Sequence, residues 1–182
     1  MFDLQNAANY FPISGEHVEL GIFTKENITD ENIGWLNDAD VVRYSNQRFT
    51  QHTQKTSMDY LQTFSNTEII FLAIYLKNES RYVGTMRVHF SVAHQVADIG
   101  IMIGDKACWG RGVGGDAWLT LLNWLVEVAG IRKVTGGTLR CNSGMVKIMV
   151  NSGMNPDGVR IAQNIVDGQA HDAMFFSKFQ PD

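Results

Sequence analysis

The chain is poor in cysteine, with only Cys108 and Cys141 in 182 residues. Two thiols without ligand spacing build neither a disulfide framework nor a metal centre, and they imply a pair of reduced cytosolic thiols. No apolar run is long enough to cross a bilayer. The amino-terminal stretch MFDLQNAANYFPISGEH has neither the basic start nor the long apolar core of a signal peptide. Excess positive charge is missing too. A net charge of −4 gives no electrostatic case for nucleic acid and mildly favours a cationic or neutral substrate. Repeats, low-complexity tracts and linkers are also lacking, so the expectation is a single domain over residues 1–182, cytoplasmic, with an ordinary core.

Glycine is where the chain is rich. Gly110, Gly112, Gly114 and Gly115 fall within six residues, between a nearly continuous apolar segment at 97–103 and a strongly periodic one at 112–129. The first reads as a central strand buried on both faces. The second reads as an amphipathic helix, with Ala117, Leu121, Trp124, Leu125 and Val128 on its apolar side, Asp116 in its first turn and Gly130 as its stop. Glycines let backbone N–H groups approach a ligand, and a helix start adds unpaired donors and the positive end of a dipole. Together they make an anion site, usually one for phosphate.

Around this unit the order of elements is mixed. Strands are expected at 17–23, 69–76, 82–90, 133–139 and 172–179, with a turn at 77–80. A short helix capped by Thr29 or Asp30 ends near Trp35, a second spans 53–64, and a third spans 143–151 before Gly153. The fold class is therefore α+β, with antiparallel hairpins first and a strand–helix–strand unit at the centre.

Three phosphate sites compete for the loop. A P-loop needs Gly-Lys-Ser/Thr, and here Gly114 is followed by Gly115 and Asp116. A dinucleotide fingerprint is spelled by Gly110, Gly112 and Gly115, with Arg140 available for a 2′-phosphate. That fingerprint follows its strand directly, whereas here Asp105 to Trp109 intervene and hairpins come first. The third pattern fits: Trp109, Gly110, Arg111, Gly112, Val113 and Gly114 resemble motif A, Q/R-x-x-G-x-G/A, of the GCN5-related N-acetyltransferase superfamily. The following strand, Asn142, residues 143–152 and Gly153-Met154 are similar to that superfamily's N-x-x-A-x-x-L-Y-x-x-x-G-F stretch. The likeness covers about residues 17–178, its specific part 97–154. Trp109 in place of Gln or Arg, and the runs Trp35-Leu36-Asn37-Asp38 and Val42-Arg43-Tyr44, resemble the branch with ribosomal-protein alanine and spermidine acetyltransferases. Similar runs, with Asn142-Ser143-Gly144-Met145, occur in acetyltransferases of surface-polysaccharide pathways.

The resemblance implies a twisted mixed sheet splayed at a CoA site and direct acetyl transfer from acetyl-CoA to a primary amine, without a metal. It implies CoA contacts from Met102, Ile103 and Gly104 at the splayed strand, from Trp109, Gly110, Arg111, Gly112, Val113, Gly114 and Gly115 in the loop, and from Asn142 and Lys147. Asp98, eleven residues before Trp109, matches the strand position of a glutamate base in histone acetyltransferases; His89 on the neighbouring strand is the second candidate. Met149 stands where many members carry a tyrosine that protonates the leaving thiolate, and methionine has no proton to give. Trp35, Asn37, Arg43, Tyr44 and Asn46 are expected to line the acceptor pocket, a mix suited to a sugar. The expected acceptor is an amino sugar, nucleotide-linked, with a protein N-terminus or a polyamine as the alternative. A CoA-binding module without catalysis is the alternative of another kind, and a homodimer is compatible with the resemblance.

Overall fold

The computed structural model describes residues 4–64 and 67–181. Eight strands form one sheet in the order β1-β2-β3-β4-β5-β6-β8-β7. They are β1 (Ile13–Ser14), β2 (Val18–Ile22), β3 (Ile69–Leu76), β4 (Arg81–Ser91), β5 (Val96–Ile103), β6 (Lys133–Leu139), β7 (Asn155–Val166) and β8 (Gln169–Phe179). The helices are α1 (Asp30–Asn37), α2 (Gln54–Gln62), α3 (Val113–Asn123) and α4 (Ser143–Asn151). Every pairing is antiparallel except β5 with β6, the two strands that α3 joins as a crossover.

The sheet is covered on both faces, which is why β3 is apolar throughout. Ile70, Leu72 and Ile74 point into the main core beneath α3, with Trp118, Leu121, Leu122 and Leu125. The alternate residues Phe71, Ala73 and Tyr75 pack under α1 and α2 with Phe23, Ile28, Met58 and Leu61. Both short helices begin as their sequence directs. Thr29 Oγ1 accepts from Asn32 N–H at 3.2 Å, and Thr53 with Thr56 closes a capping box. Asn32 Nδ2 then donates to Tyr82 Oη at 2.9 Å, fastening α1 to the sheet.

Several elements differ from expectation, the two-residue β1 among them. The long helix continues past Asn123 as a π-helical turn, Trp124–Val128, so its last turn is wider than an α-helix. The strand β7 has no forerunner in the sequence reading, and β8 starts three residues before the expected 172. β7 is an edge strand with most of its residues exposed, so neither face is selected for apolar side chains and no alternation marks it. It also carries register shifts at Pro156/Gly158 and Arg160/Asn164.

Candidate active site

The pairing of β5 with β6 stops early. Val96, Ala97 and Asp98 sit opposite Lys133, Val134 and Thr135, and beyond that point the strands diverge. The gap so formed is lined by Gly100, Ile101, Met102 and Ile103 on one side and by Gly137 and Thr138 on the other. The Gly104 N–H donates to Val83 O at 2.9 Å, which fixes the phase of the ladder. Peptide groups of Met102 therefore face β4, while those of Ile101 and Ile103 face the gap. Gly104 stays out of the gap, because a Cβ there would stand 2.1 Å from Trp35.

At the open end the glycine loop meets α3. Gly110 and Gly112 adopt φ of +71° and +84°, a left-handed backbone that side chains resist, and Gly112 is the residue from which the helix starts. Four N–H groups at that start have no intrahelical partner. The Trp109 indole Nε1 donates to Ile103 O at 2.9 Å, tying the loop to the strand end. This is a physical use for the tryptophan that departs from the motif. Gly110, Gly112, Gly114 and Gly115 line the cavity with Trp109, while Arg111 and Val113 do not. Asn142 caps α4 through Oδ1, accepting from Met145 N–H at 3.3 Å, and lines the same space beside Lys147.

The cavity runs on from this groove beneath α1 and α2, reaching about 1370 Å³. That exceeds a usual single-ligand pocket of roughly 300–1,000 Å³, so it has room for two substrates together. Its second half has walls of side chains. Arg43, Tyr44, His52, Ser57, Tyr60 and Arg87 are among them. Of the expected acceptor residues, Arg43 and Tyr44 are there. Trp35, Asn37 and Asn46 are not. Trp35 is buried, its ring 5.1 Å from Tyr82. Asn37 braces the segment before α2, donating to His52 O and accepting from His52 N–H, each at 2.9 Å. Arg43 reaches out to Asp167 in the β7–β8 turn at 2.6 Å, which raises its already high pKa.

Among the described residues, two buried side-chain polar atoms have no hydrogen-bond partner: Ser57 Oγ and Trp118 Nε1. Both residues line the cavity. Buried polar groups are ordinarily satisfied, so both mark places where a ligand or water completes the structure. Sequence reasoning singled out neither one.

Asp98 lies at the closed end of the gap, where Thr135 Oγ1 donates to Asp98 Oδ2 at 2.8 Å. It falls two residues short of Gly100, the nearest cavity residue on its face of β5. His89 sits opposite Asp98 on β4 and is exposed. His52 is the one histidine among the described residues that lines the cavity, its Nε2 3.1 Å from Gln47 O. A donor is required there, so the proton belongs on Nε2 and Nδ1 is left as an acceptor. Met149 is 1% exposed and belongs to the main core with Trp118, and it does not itself line the cavity. Burial, with Asp105 beside it, pushes the Cys108 thiol up, so this cavity cysteine stays protonated.

A mixed sheet opened between two parallel strands, with a glycine turn and helix start at the mouth, is the architecture of acyl-CoA N-acyltransferases. A family model described as an acetyltransferase (GNAT) domain matches residues 22–155, and the chain belongs to that family. It is an N-acetyltransferase. No curated protein matches it in sequence. Solved structures show the same fold. RimL, a ribosomal L7/L12 alpha-N-protein acetyltransferase in complex with coenzyme A, superposes with a TM-score of 0.79 at 14% identity, over 92% of this chain and 96% of that one. Spermidine N-acetyltransferase from Vibrio cholerae, in complex with CoA and spermine, gives 0.78 at 12%, over 90% and 96%. The microcin C7 self immunity acetyltransferase MccE, in complex with acetyl-CoA and AMP, gives 0.77 at 16%, over 90% and 93%.

Proposed function

We propose that the chain moves the acetyl group of acetyl-CoA directly onto a primary amine, and that the amine belongs to an amino sugar, nucleotide-linked. The observation that carries the reading is one continuous cavity in which a glycine turn, a strand gap and a polar acceptor chamber follow in line. The N–H groups of Gly110, Gly112, Gly114 and Gly115 at the start of α3 suit the pyrophosphate, with Lys147 lining the same cavity. Asn142 already uses its carbonyl for α4, which leaves its amide N–H groups to donate to the pantetheine arm. The gap-facing N–H groups of Ile101 and Ile103 polarise the thioester carbonyl, a contribution of about 3–4 kcal/mol for a well-placed oxyanion donor.

The amine nitrogen forms its bond to the acetyl carbon, the carbon–sulfur bond breaks with its electron pair leaving on sulfur as the CoA thiolate, and the amine's proton must leave. Asp98 takes that proton through a water, since it shares a sheet face with Gly100 and keeps one carboxylate oxygen clear of Thr135. His52 is the second reading, favoured by its place in the cavity wall and its acceptor Nδ1. The acceptor assignment draws support from Tyr44 and the polar lining, and from the AMP held by MccE. A protein N-terminus or a polyamine is the alternative, after RimL and the Vibrio enzyme. A thiol-release screen over nucleotide-linked amino sugars, peptide N-termini and spermidine decides it. Thiol release with peptides or spermidine alone rejects the sugar.

A further inference from the structure

The acceptor chamber contains a cation with no counter-charge. Arg87 lies on β4, on the face that α1 and α2 cover, and lines the cavity. Its cross-strand neighbours are Phe71 on β3 and Gly100 on β5. Gly100 leaves the space beside it open, since a Cβ there would meet nothing within 4 Å. Among the described residues Arg87 has no ion pair, whereas Arg43, the other arginine of the cavity wall, is held by Asp167. The one carboxylate among the described lining residues is Asp40, and Lys106 already bonds it at 3.3 Å.

The opposite wall is α2. Tyr60 and Phe71 stand 6.2 Å apart between ring centres, so this helix packs directly over the strand that carries Arg87's neighbour. From the same helix Thr56 and Ser57 line the cavity, and Ser57 Oγ is buried without a partner. A guanidinium on the sheet and an unsatisfied hydroxyl on the helix thus border one chamber. Guanidinium binds the planar fork of a carboxylate or the oxygens of a phosphate through paired, charge-assisted bonds, and a hydroxyl adds a further donor.

We infer that the acceptor is an amine that also carries an anionic group, a phosphate or a carboxylate, and that Arg87 holds that group with Ser57 Oγ beside it. The inference rests on the acetyltransferase reading above and assigns the residues that hold the acceptor's anionic group. A polyamine brings only positive charge to a chamber whose one carboxylate is paired, and like charges set against each other reject a ligand. The net charge of −4 pointed the other way, toward a cationic or neutral substrate, because it counts the whole surface. The chamber has its own sign.

The test uses matched amines: glucosamine 6-phosphate against glucosamine, alanine against alaninamide, and spermidine. Thiol release gives kcat/KM, and calorimetry on the CoA-loaded protein gives affinity without turnover. The anionic member of at least one pair should win by about tenfold in both readouts, and the pair with the larger gap says whether phosphate or carboxylate is meant. Arg87→Ala should abolish the gap and Arg87→Lys keep part of it, with KM for acetyl-CoA changed by less than about twofold. Equal use of both members, a gap that survives Arg87→Ala, or spermidine as the preferred amine overturns the inference. Failure of the unaltered protein to bind acetyl-CoA instead sinks the acetyltransferase reading. The anion inference is then decided by the same calorimetric comparison on the protein without CoA.

Discussion

The two halves of the cavity are made of different material. The donor half is backbone: gap-facing peptide groups, two left-handed glycines and a helix start. The acceptor half is side chain: Arg43, Tyr44 and His52 on the segment between α1 and α2, Ser57 on α2 and Arg87 on β4. Backbone geometry serves any ligand with a pyrophosphate and a thioester, so it ties the chain to a donor. Side chains carry charge and shape, so they select the acceptor. Changes in one half should therefore leave the other half's kinetic constants almost untouched.

The largest expected effect falls at the closed end of the strand gap. Asp98→Asn should lower kcat by about a hundredfold or more, the usual contribution of a general base, with acetyl-CoA affinity near normal. Unchanged turnover removes Asp98 from the mechanism, and a parallel pH–rate profile of His52→Gln shows whether the imidazole carries the proton instead. Next comes the donor half. Gly112→Val puts a β-branched side chain at φ +84°, and acetyl-CoA affinity measured by calorimetry should fall about a hundredfold while binding of the acceptor holds. A joint loss of both would break the division between the halves.

Smaller effects sharpen it. Trp118→Phe removes only the unpartnered N–H and its ring, and should weaken acetyl-CoA by about fivefold if that donor serves the arm. An effect confined to melting temperature would make it purely a packing residue. Asp167→Ala frees Arg43 from an exposed, solvent-screened pair. It should shift the acceptor KM by about two- to threefold with no change in KM for acetyl-CoA.

The mildest expectation concerns pH. The Lys106 ammonium beside Asp38 holds that carboxylate below its usual value. Burial pushes the Asp105 carboxyl up, but the Ala107 N–H and Arg81 outweigh it and leave it low. The Ala162 N–H and Arg140 do the same for Asp172. A folded pKa below the unfolded one contributes stability above the unfolded value, lost as pH falls through the folded one. Melting temperature should be level from pH 8 to about 5 and drop below about pH 4. A rise on acidification would show that other groups govern.

The same division explains what the sequence disclosed. The backbone half was legible because glycine spacing and the 3.6-residue period act locally: Gly110 and Gly112 and the helix after them are where the pattern placed them. Strands β3 and β6 and helix α4 match their expected limits for the same reason. The side-chain half depends on pairing between distant residues. Trp35 had the look of a sugar platform, yet it fills the space over Gly104. Arg87 passed unnoticed, although a lone arginine in the apolar run around VGTMRVHF shares a face with Thr85 and His89 by simple alternation. Strand β7 was invisible because only its hydrogen bonds to β8 define it.

Asp116, read from the sequence as a partner for the helix dipole, has a further consequence. Its carboxylate accepts N–H bonds from Glu16, His17 and Val18 at 3.1, 2.8 and 3.0 Å. Gly15 lies so close that a Cβ there would stand 2.3 Å from Thr120 Oγ1. The far edge of the sheet is thereby buttoned to the first turn of the helix whose start faces the donor groove. A carboxylate left bare at that turn would act as an internal competitor, drawing the helix's positive end away from an incoming pyrophosphate. The N–H groups of Glu16, His17 and Val18, at the entry to β2, engage it in advance, so cutting the chain back past Val18 would weaken donor binding from the opposite side of the molecule.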